Sequence, residues 1–309
     1  METIEQRIQQ VVEDREHGSR WLVKEALKIL ADIAQPQQTS DDTTQRLKLL
    51  YASAFHIAQA RPAMAALASA VSQVVSVHEQ GLDAVAQEAQ RLLTEYDTAT
   101  ERLAEHAQPL LKGQLMTCSI SGTVLEVLYT LHEQIERVIV LEGRPRYEGH
   151  NTAQALSEHG IAVTLITDAQ ADIFLPDCQS VVVGADSLLI NGDVLNKAGT
   201  ALLAWAAHGQ AIPFYVLCET LKISPQRWFE HDHTHRASNL NLLEEKEPEE
   251  VFASPPEGVT VRNFYFDRTP YRLVNHIITE QGILDRHQIR EIAVTTREHQ
   301  RSLAKLQKK

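Results

Sequence analysis

The chain has few of the features that mark secreted, membrane-bound or nucleic-acid-binding proteins. Only three of its 309 residues are cysteines, an odd number without metal-ligand spacing, which favours reduced thiols in a cytoplasm. The longest apolar runs, such as ALLAWAA, are too short to span a bilayer, and the charged start METIEQRIQQ has no apolar signal segment. The formal net charge of −12 leaves no positive surplus for a phosphate backbone or an anionic membrane. We therefore expect a cytoplasmic protein that binds neither nucleic acid nor membranes.

Cofactor motifs are also missing. The chain has no G-x-x-x-x-G-K-[ST] phosphate loop, and no G-x-G-x-x-G follows a predicted strand, so a standard mononucleotide or dinucleotide site is not expected. The alternate histidines His231, His233 and His235 lie in a polar segment, and the sequence places no further metal ligand beside them. We interpret them as part of a solvated loop. The sequence thus predicts neither a metal nor a cofactor.

The pattern of apolar residues changes near residue 110. Before that point it has helical spacing, as in SRWLVKEALKILADIA, with Pro62 in the first turn of one helix and Gly81 before a long one. After Gly113, apolar runs such as RVIVLEG and SVVVGA alternate with helical segments, which predicts a parallel sheet covered on both faces. We therefore predict a helical bundle of about 110 residues followed by an α/β part.

Polar residues follow several of the predicted strands. Because parallel sheets bind ligands in a crevice at the carboxyl ends of their strands, these side chains should converge on one crevice. The segment LLINGDVL is predicted to be a loop. Asn196-Lys197 is predicted to begin the next helix, where the free backbone amides of the helix N-terminus suit a phosphate. The SISGT turn offers a second amide-rich helix start. The residues at the strand ends are Ser119, Arg144, Asp186 and Lys222.

Three longer stretches resemble a known family. VVVGADSLLINGDVLNKAGT, IPFYVLCETLKISP and NFYFDRTPYRLVNHIITEQGIL are similar to the superfamily that contains the α, β and δ regulatory subunits of eukaryotic translation initiation factor 2B. Ribose-1,5-bisphosphate isomerase and methylthioribose-1-phosphate isomerase belong to the same superfamily, and the resemblance covers nearly the whole chain. It implies a helical N-terminal domain (1–110) against a Rossmann-like parallel-sheet domain (111–309). It also implies a phosphosugar pocket between them and at least a homodimer.

The resemblance assigns roles to individual residues. It implies that Asp186 is the catalytic aspartate and that Asn196 and Lys197 hold the ligand. Further ligand contacts are implied by a glycine-rich turn, an RPA segment in place of the family's RPT, an RP-x-x-[EQ]-G segment and an ET-x-K segment. The glycine-rich turn reads His-Gly-Ser here, where the isomerases tend to have Arg-Gly-Ala. The residues of these motifs are Gly18, Ser19, Arg61, Arg144, Glu148 and Lys222.

The segment TCSIS departs from the family pattern. The isomerases carry a catalytic cysteine in Thr-His-Cys-x-Ser; in that register Ser119 occupies the cysteine position and Cys118 the histidine position. Isomerisation needs a group that moves a proton beside a carbonyl, and a thiol can be tuned for this near neutral pH. A serine hydroxyl needs a dedicated base, and none is evident beside Ser119. Since adjacent strand residues point to opposite faces, Cys118 should turn away from the pocket unless a bulge re-aims it.

Two functions stay open on the sequence alone. The first is an initiation factor 2B-like protein that binds a phosphosugar or nucleotide between its two domains, in a regulatory or non-catalytic role. The alternative is an aldose–ketose isomerase that acts on a phosphorylated pentose, with Asp186 as the proton shuttle and Cys118 or Ser119 assisting.

Overall fold

The computed structural model of the protein describes residues 2–14, 17–35, 42–229 and 236–307. The helices are α1 Ile4–Glu13, α2 Ser19–Ala34, α3 Thr43–Gln59, α4 Ala65–Ser76, α5 Leu82–Ala107, α6 Gly122–Thr130, α7 Glu148–Glu158, α8 Ala171–Phe174, α9 Thr200–Gly209, α10 Arg236–Asn241 and α11 Arg286–Leu306. The strands are β1 Gly113–Thr117, β2 Ile135–Leu141, β3 Val163–Ile166, β4 Ser180–Val183, β5 Ser187–Leu189, β6 Val194–Lys197, β7 Phe214–Leu217, β8 Ile223–Ser224, β9 Phe266–Thr269, β10 His276–Thr279 and β11 Gly282–Leu284. Within the described ranges, no helix combines the length and apolarity that a bilayer crossing requires.

The N-terminal part is helical, as the apolar spacing predicts. Helix α2 buries Leu22, Ala26 and Leu30 on the face that packs against α3, α4 and α5. Pro62 does not open a helix: it lies in a turn closed by Met64 N–H donating to Arg61 O at 3.0 Å, and α4 begins only at Ala65. The C-terminal helix α11 returns to this bundle, where Leu303 and Leu306 join its apolar core. This bundle covers the edge of the sheet that carries the site.

The main sheet has seven strands in the order β11-β10-β7-β4-β1-β2-β3, all parallel except β11. The parallel strands therefore follow the order 3-2-1-4-5-6 of a doubly wound α/β fold, which confirms the predicted fold class. The chain reverses its direction of winding between β1 and β4. In such sheets the ligand crevice lies outside the carboxyl ends of the strands at this switch point.

A second sheet, with the order β8-β5-β6-β9, corrects two expectations. The predicted loop LLINGDVL is largely the hairpin β5–β6, and Asn196 and Lys197 are strand residues opposite Asp267 and Phe266. The helix that follows starts three residues later, at Thr200. Gly199, with φ +111°, makes the turn between them, a conformation that L side chains rarely adopt. The group that reaches the crevice here is therefore the Lys197 side chain of the small sheet, and not the backbone amides of a helix start.

Candidate ligand-binding site

Two adjoining cavities lie at the switch point, where the chain leaves β1 and β4. Their volumes are about 350 and 390 Å³, and they share Gly18, Ile120 and Asp186 as lining residues. We call the first the Lys197 lobe and the second the Lys222 lobe, after one of the two lysines that line each. Gly18 comes from the helical part, so the site lies between that part and the sheet edge.

Asp186 stands between the two lobes. Its backbone is fixed on both sides, since its N–H donates to Leu195 O at 2.9 Å and its carbonyl accepts from Ala65 N–H at 3.2 Å. Burial raises the pKa of its carboxyl to about 6, although Lys222 opposes the shift. Within the described part of the chain, no side chain or amide donates a hydrogen bond to this carboxylate. It is therefore available to a ligand and is close to half ionised near pH 6.

The Lys197 lobe is organised around Glu148. The Lys197 ammonium, on a side chain 6% exposed, donates to Glu148 Oε1 at 2.9 Å and lies 4.4 Å from the centroid of the Tyr265 ring. The Ser119 hydroxyl donates to Glu148 Oε2 at 3.0 Å, so a carboxylate does stand beside this serine, contrary to the sequence-based expectation. The remaining basic side chains that line this lobe are His17, Arg61, Arg146 and Lys246.

Lys222, which lines the second lobe, belongs to a buried ion pair. Lys222 Nζ lies 3.2 Å from Glu219 Oε2, and the hydroxyl of Thr123 donates to Glu219 Oε1 at 2.8 Å. Burial alone would lower the pKa of Lys222, but Glu219 and Asp186 outweigh it and raise the pKa above its ordinary value. The lysine is therefore a permanent positive charge on this side of Asp186.

Helix α2 begins at the wall of the Lys222 lobe. Gly18 and Ser19 line the lobe, and no side chain caps the helix start or places an acid in its first turn. The free amides and the positive end of the helix dipole suit an anionic group, and Lys222 lies on the same lobe. Asn196 also lines this lobe, with its amide donating to Thr200 Oγ1 at 3.0 Å.

The start of helix α9 is not a phosphate site, and the expectation that placed one there is wrong. The Asp267 carboxylate on β9 accepts from Gly199 N–H at 2.7 Å and from Ala201 N–H at 3.1 Å. A side chain of the protein itself therefore occupies the helix start. Asp267 lies 70 residues along the chain from Lys197, and no local pattern indicates the pairing.

Arg144 lies away from both lobes, which corrects its expected convergence on the crevice. Its guanidinium donates to the Tyr147 hydroxyl at 2.6 Å and stacks over that ring, and the residue is exposed. Arg146, two residues later, lines the Lys197 lobe and hydrogen-bonds with Tyr265. The motif R-P-R contains both arginines, and the sequence pattern cannot tell which one reaches the crevice.

Cys118 lines neither lobe. Its Sγ lies 3.5 Å from Thr200 Oγ1, and burial raises the pKa of the thiol to about 12. Ser119, with φ +66°, is no longer in β1 and turns its hydroxyl into the Lys197 lobe. In the described ranges, no cysteine lines either lobe, so this chain presents a serine beside a carboxylate at the position where the isomerases' Thr-His-Cys-x-Ser pattern has a thiol.

Metal ligands are not grouped at the site. No group of three or more histidine, cysteine, aspartate or glutamate side chains in the described ranges could hold a metal ion. The alternate histidines His231, His233 and His235 lie outside the described residues.

A profile described as the Initiation factor 2 subunit family matches residues 15–286, and the chain belongs to this family. A ribose 1,5-bisphosphate isomerase from Archaeoglobus fulgidus is 35% identical over 236 residues, which cover 72% of each chain.

Solved structures show the same fold. The crystal structure of the translation initiation factor eIF-2B from Pyrococcus horikoshii OT3 has a TM-score of 0.76 and 30% identity, covering 92% of this chain and 97% of that one. A chain of the tetrameric eIF2B-β2δ2 complex from C. thermophilum has a TM-score of 0.72 and 18% identity, covering 95% of this chain and 94% of that one. At that identity the likeness shows the fold alone. The family therefore contains both isomerases and initiation-factor subunits.

Proposed function

We propose that the protein binds a phosphorylated sugar across the two lobes, in a regulatory or non-catalytic role like that of an initiation factor 2B subunit. The observation that carries the proposal is the placing of Lys197 and Lys222 on opposite sides of Asp186, with no cysteine among the described lining residues. One lysine would hold each anionic end of the ligand, and the carboxylate between them would accept hydrogen bonds from sugar hydroxyls. A nucleotide would place its single phosphate-bearing end in one lobe.

A second candidate function is aldose–ketose isomerisation of a phosphorylated pentose. The observation in its favour is the Asp186 carboxyl, whose pKa of about 6 lets it accept and return a proton near neutral pH. Ser119 would assist with the oxygen proton, since its hydroxyl already donates to Glu148 at 3.0 Å. Glu148 Oε1 already accepts from the Lys197 ammonium at 2.9 Å, and this structural pairing favours the non-catalytic role.

Incubation of the purified protein with ribose 1,5-bisphosphate and methylthioribose 1-phosphate tests both candidates. Calorimetry measures binding, and NMR follows ketose formation. We expect saturable binding without turnover, weakened about 10- to 100-fold in Lys197→Met because a charge-assisted hydrogen bond is lost. Lys112→Met, at an exposed lysine outside both lobes, is the control and should bind as the wild type does.

The outcomes separate the two candidates. Turnover that disappears in Asp186→Asn would establish the isomerase and exclude the non-catalytic role. Turnover that instead disappears in Cys118→Ala would contradict the assignment of both lobes, because that thiol lies outside them. Absence of binding to either sugar phosphate would refute the proposed function.

The proposed assembly is a homodimer or a higher oligomer formed through helices α8 and α9. Helix α9 is almost entirely apolar, yet Leu202 and Trp205 are 65% and 47% exposed, and Ile173 on the adjacent α8 is 67% exposed. A helix that is apolar all round is normally buried, so we infer that a second copy of this chain covers this face.

Sedimentation velocity of the double variant Leu202→Asp/Trp205→Glu tests the interface. We expect the variant to sediment as a monomer, because two charges would be buried without partners in the assembled state. Leu165→Asp on β3, also an exposed apolar position, is the matched control and should leave the assembly unchanged. A double variant that sediments like the wild type would place the interface elsewhere.

A further inference from the structure

A histidine of the Lys197 lobe, His17, has no part in the ligand contacts proposed above. It lines this lobe beside Gly18, two residues before helix α2 begins at Ser19. Its side chain is 47% exposed, so a ligand in the lobe can reach the ring. Histidine is the side chain whose charge ordinarily changes between about pH 5 and pH 8. A histidine in an anion-binding lobe can therefore make the charge of that lobe depend on pH.

Asp14, the residue that follows helix α1, holds one edge of the imidazole. Its Oδ2 lies 2.7 Å from His17 Nδ1, and its Oδ1 accepts from the backbone N–H of His17 at 2.8 Å. Because an ionised carboxylate can only accept hydrogen bonds, Nδ1 must carry the proton in this pair. The Trp21 ring stacks on the imidazole, with the two ring centroids 4.1 Å apart. These contacts fix the ring in one orientation and in the tautomer that is protonated on Nδ1.

The other ring nitrogen, Nε2, is left for a ligand. Among the residues that the structure describes, none hydrogen-bonds to it, since the contacts of His17 with Asp14 use Nδ1 and the backbone N–H. In the neutral ring, Nε2 carries a lone pair and cannot bond to a fully ionised phosphate, which also has only acceptors. In the protonated ring, Nε2 becomes a charged donor. Such a phosphate can therefore bond to Nε2 only after the ring has taken up a proton.

The histidine shares the lobe with charged groups of both signs. Lys197 is paired with Glu148 at 2.9 Å. Lys246 is paired with Glu244 at the same distance. Burial raises the pKa of the Asp186 carboxyl to about 6, so this group also loses its negative charge as the pH falls. Protonation of the aspartate and of the histidine would both favour an anion, so a variant of the histidine alone is needed to separate them. The other charged or titratable lining groups are Arg61, Arg146, Glu148, Asp186, Lys197, Glu244, Lys246 and Tyr265.

We propose that His17 takes up a proton when a phosphate group of the ligand binds in the Lys197 lobe, and donates to that phosphate from Nε2. Asp14 is the positioning residue, because it holds the proton on the opposite nitrogen. The inference rests on the function proposed above and adds a form of regulation to the same site. The protein would bind its phosphosugar more tightly as the pH falls through the neutral range, with one proton bound for each ligand.

Calorimetry with ribose 1,5-bisphosphate tests this proton uptake on the full-length protein. Titrations in two buffers of different ionisation enthalpy, repeated between about pH 6 and pH 8, count the protons bound with the ligand. We expect the wild type to take up more protons than His17→Gln, by up to about one. The Kd of His17→Gln should exceed that of the wild type about 3- to 10-fold near pH 6 and approach it near pH 8, because only the imidazolium makes a charge-assisted hydrogen bond. His106→Gln, an exposed histidine of α5 outside both lobes, is the matched control and should behave as the wild type does.

The comparison isolates the histidine. The phosphate groups of the ligand and the Asp186 carboxyl titrate in both proteins, so their contributions cancel in the difference. Equal proton uptake by the wild type and His17→Gln would overturn the inference and leave the proposed function intact. A loss of affinity that is the same at every pH would also overturn it, because the contact would then need no proton. Absence of binding to the wild type would refute the proposed function and this inference together.

Discussion

Lys222→Met is expected to lower the free energy of unfolding by about 3–5 kcal/mol, because it removes one partner of a buried ion pair. Glu219 is 1% exposed, and Lys222 Nζ at 3.2 Å is its cationic partner. Burial acts to raise the pKa of Glu219, but Lys222 and the Thr123 hydroxyl outweigh it and hold the pKa below its usual value. Without the lysine, the carboxylate would be buried without compensation or would have to bind a proton.

Urea denaturation of three proteins measures this effect. The double variant Lys222→Met/Glu219→Gln is the matched control, since its neutral amide can still accept from Thr123 Oγ1. We expect it to recover most of the stability lost in Lys222→Met, because no unpaired charge remains. Equal stability of the single variant and the wild type would show that the pair contributes nothing to the fold.

Asp186→Asn is expected to stabilise the fold by up to about 3 kcal/mol at neutral pH, because it removes a carboxylate charge that burial disfavours. Burial raises the pKa of this carboxyl to about 6, so the folded state favours the protonated form more than the unfolded state does. The stability of the wild type therefore falls as pH rises from about 4 to about 6, across the gap between the unfolded and folded pKa values. Asparagine stays neutral and avoids this loss.

Thermal or chemical denaturation at several pH values measures the stability difference between Asp186→Asn and the wild type and so checks the direction of its pH dependence. The advantage of Asp186→Asn should be complete above pH 6 and vanish below about pH 4, where the wild-type carboxyl is protonated in both states. Asp267, whose pKa burial also raises to about 6, is present in both proteins and cancels in the difference. The exposed Asp177→Asn should change stability by less than about 0.5 kcal/mol. A destabilised Asp186→Asn would contradict the argument.

The sequence predicts the location of the site better than its contents. Alternating apolar runs and helices indicate a parallel sheet, and the rule for strand ends then brings Ser119, Asp186 and Lys222 to one crevice, where the structure has them. These inferences succeed because they rest on periodicity, which is local. The thiol of Cys118 lines neither lobe, but the residue follows β1 instead of lying in it, so strand alternation is not the reason.

The errors arise where distant segments decide the geometry. Val194–Lys197 is only four residues long, half of them polar, and a partner strand at Phe266–Thr269 makes it a strand instead of a helix start. The same distant strand supplies Asp267, which occupies the amides expected to bind phosphate. Arg146 lines the Lys197 lobe and Arg144 does not, although both belong to the same R-P-R segment. Pairings over 60 or more residues leave no periodic signal in either segment.

The occupation of the α9 start by Asp267 has a consequence for how such a site diversifies. Backbone amides at a helix start cannot be exchanged by point mutation, and here they are withdrawn from ligand recognition. The Lys197 lobe then owes its positive charge to replaceable side chains, while the other lobe keeps the start of α2. Single substitutions of those side chains would change the charge of the Lys197 lobe and leave the start of α2 intact. The charge of the Lys197 lobe can therefore change without any change of the backbone.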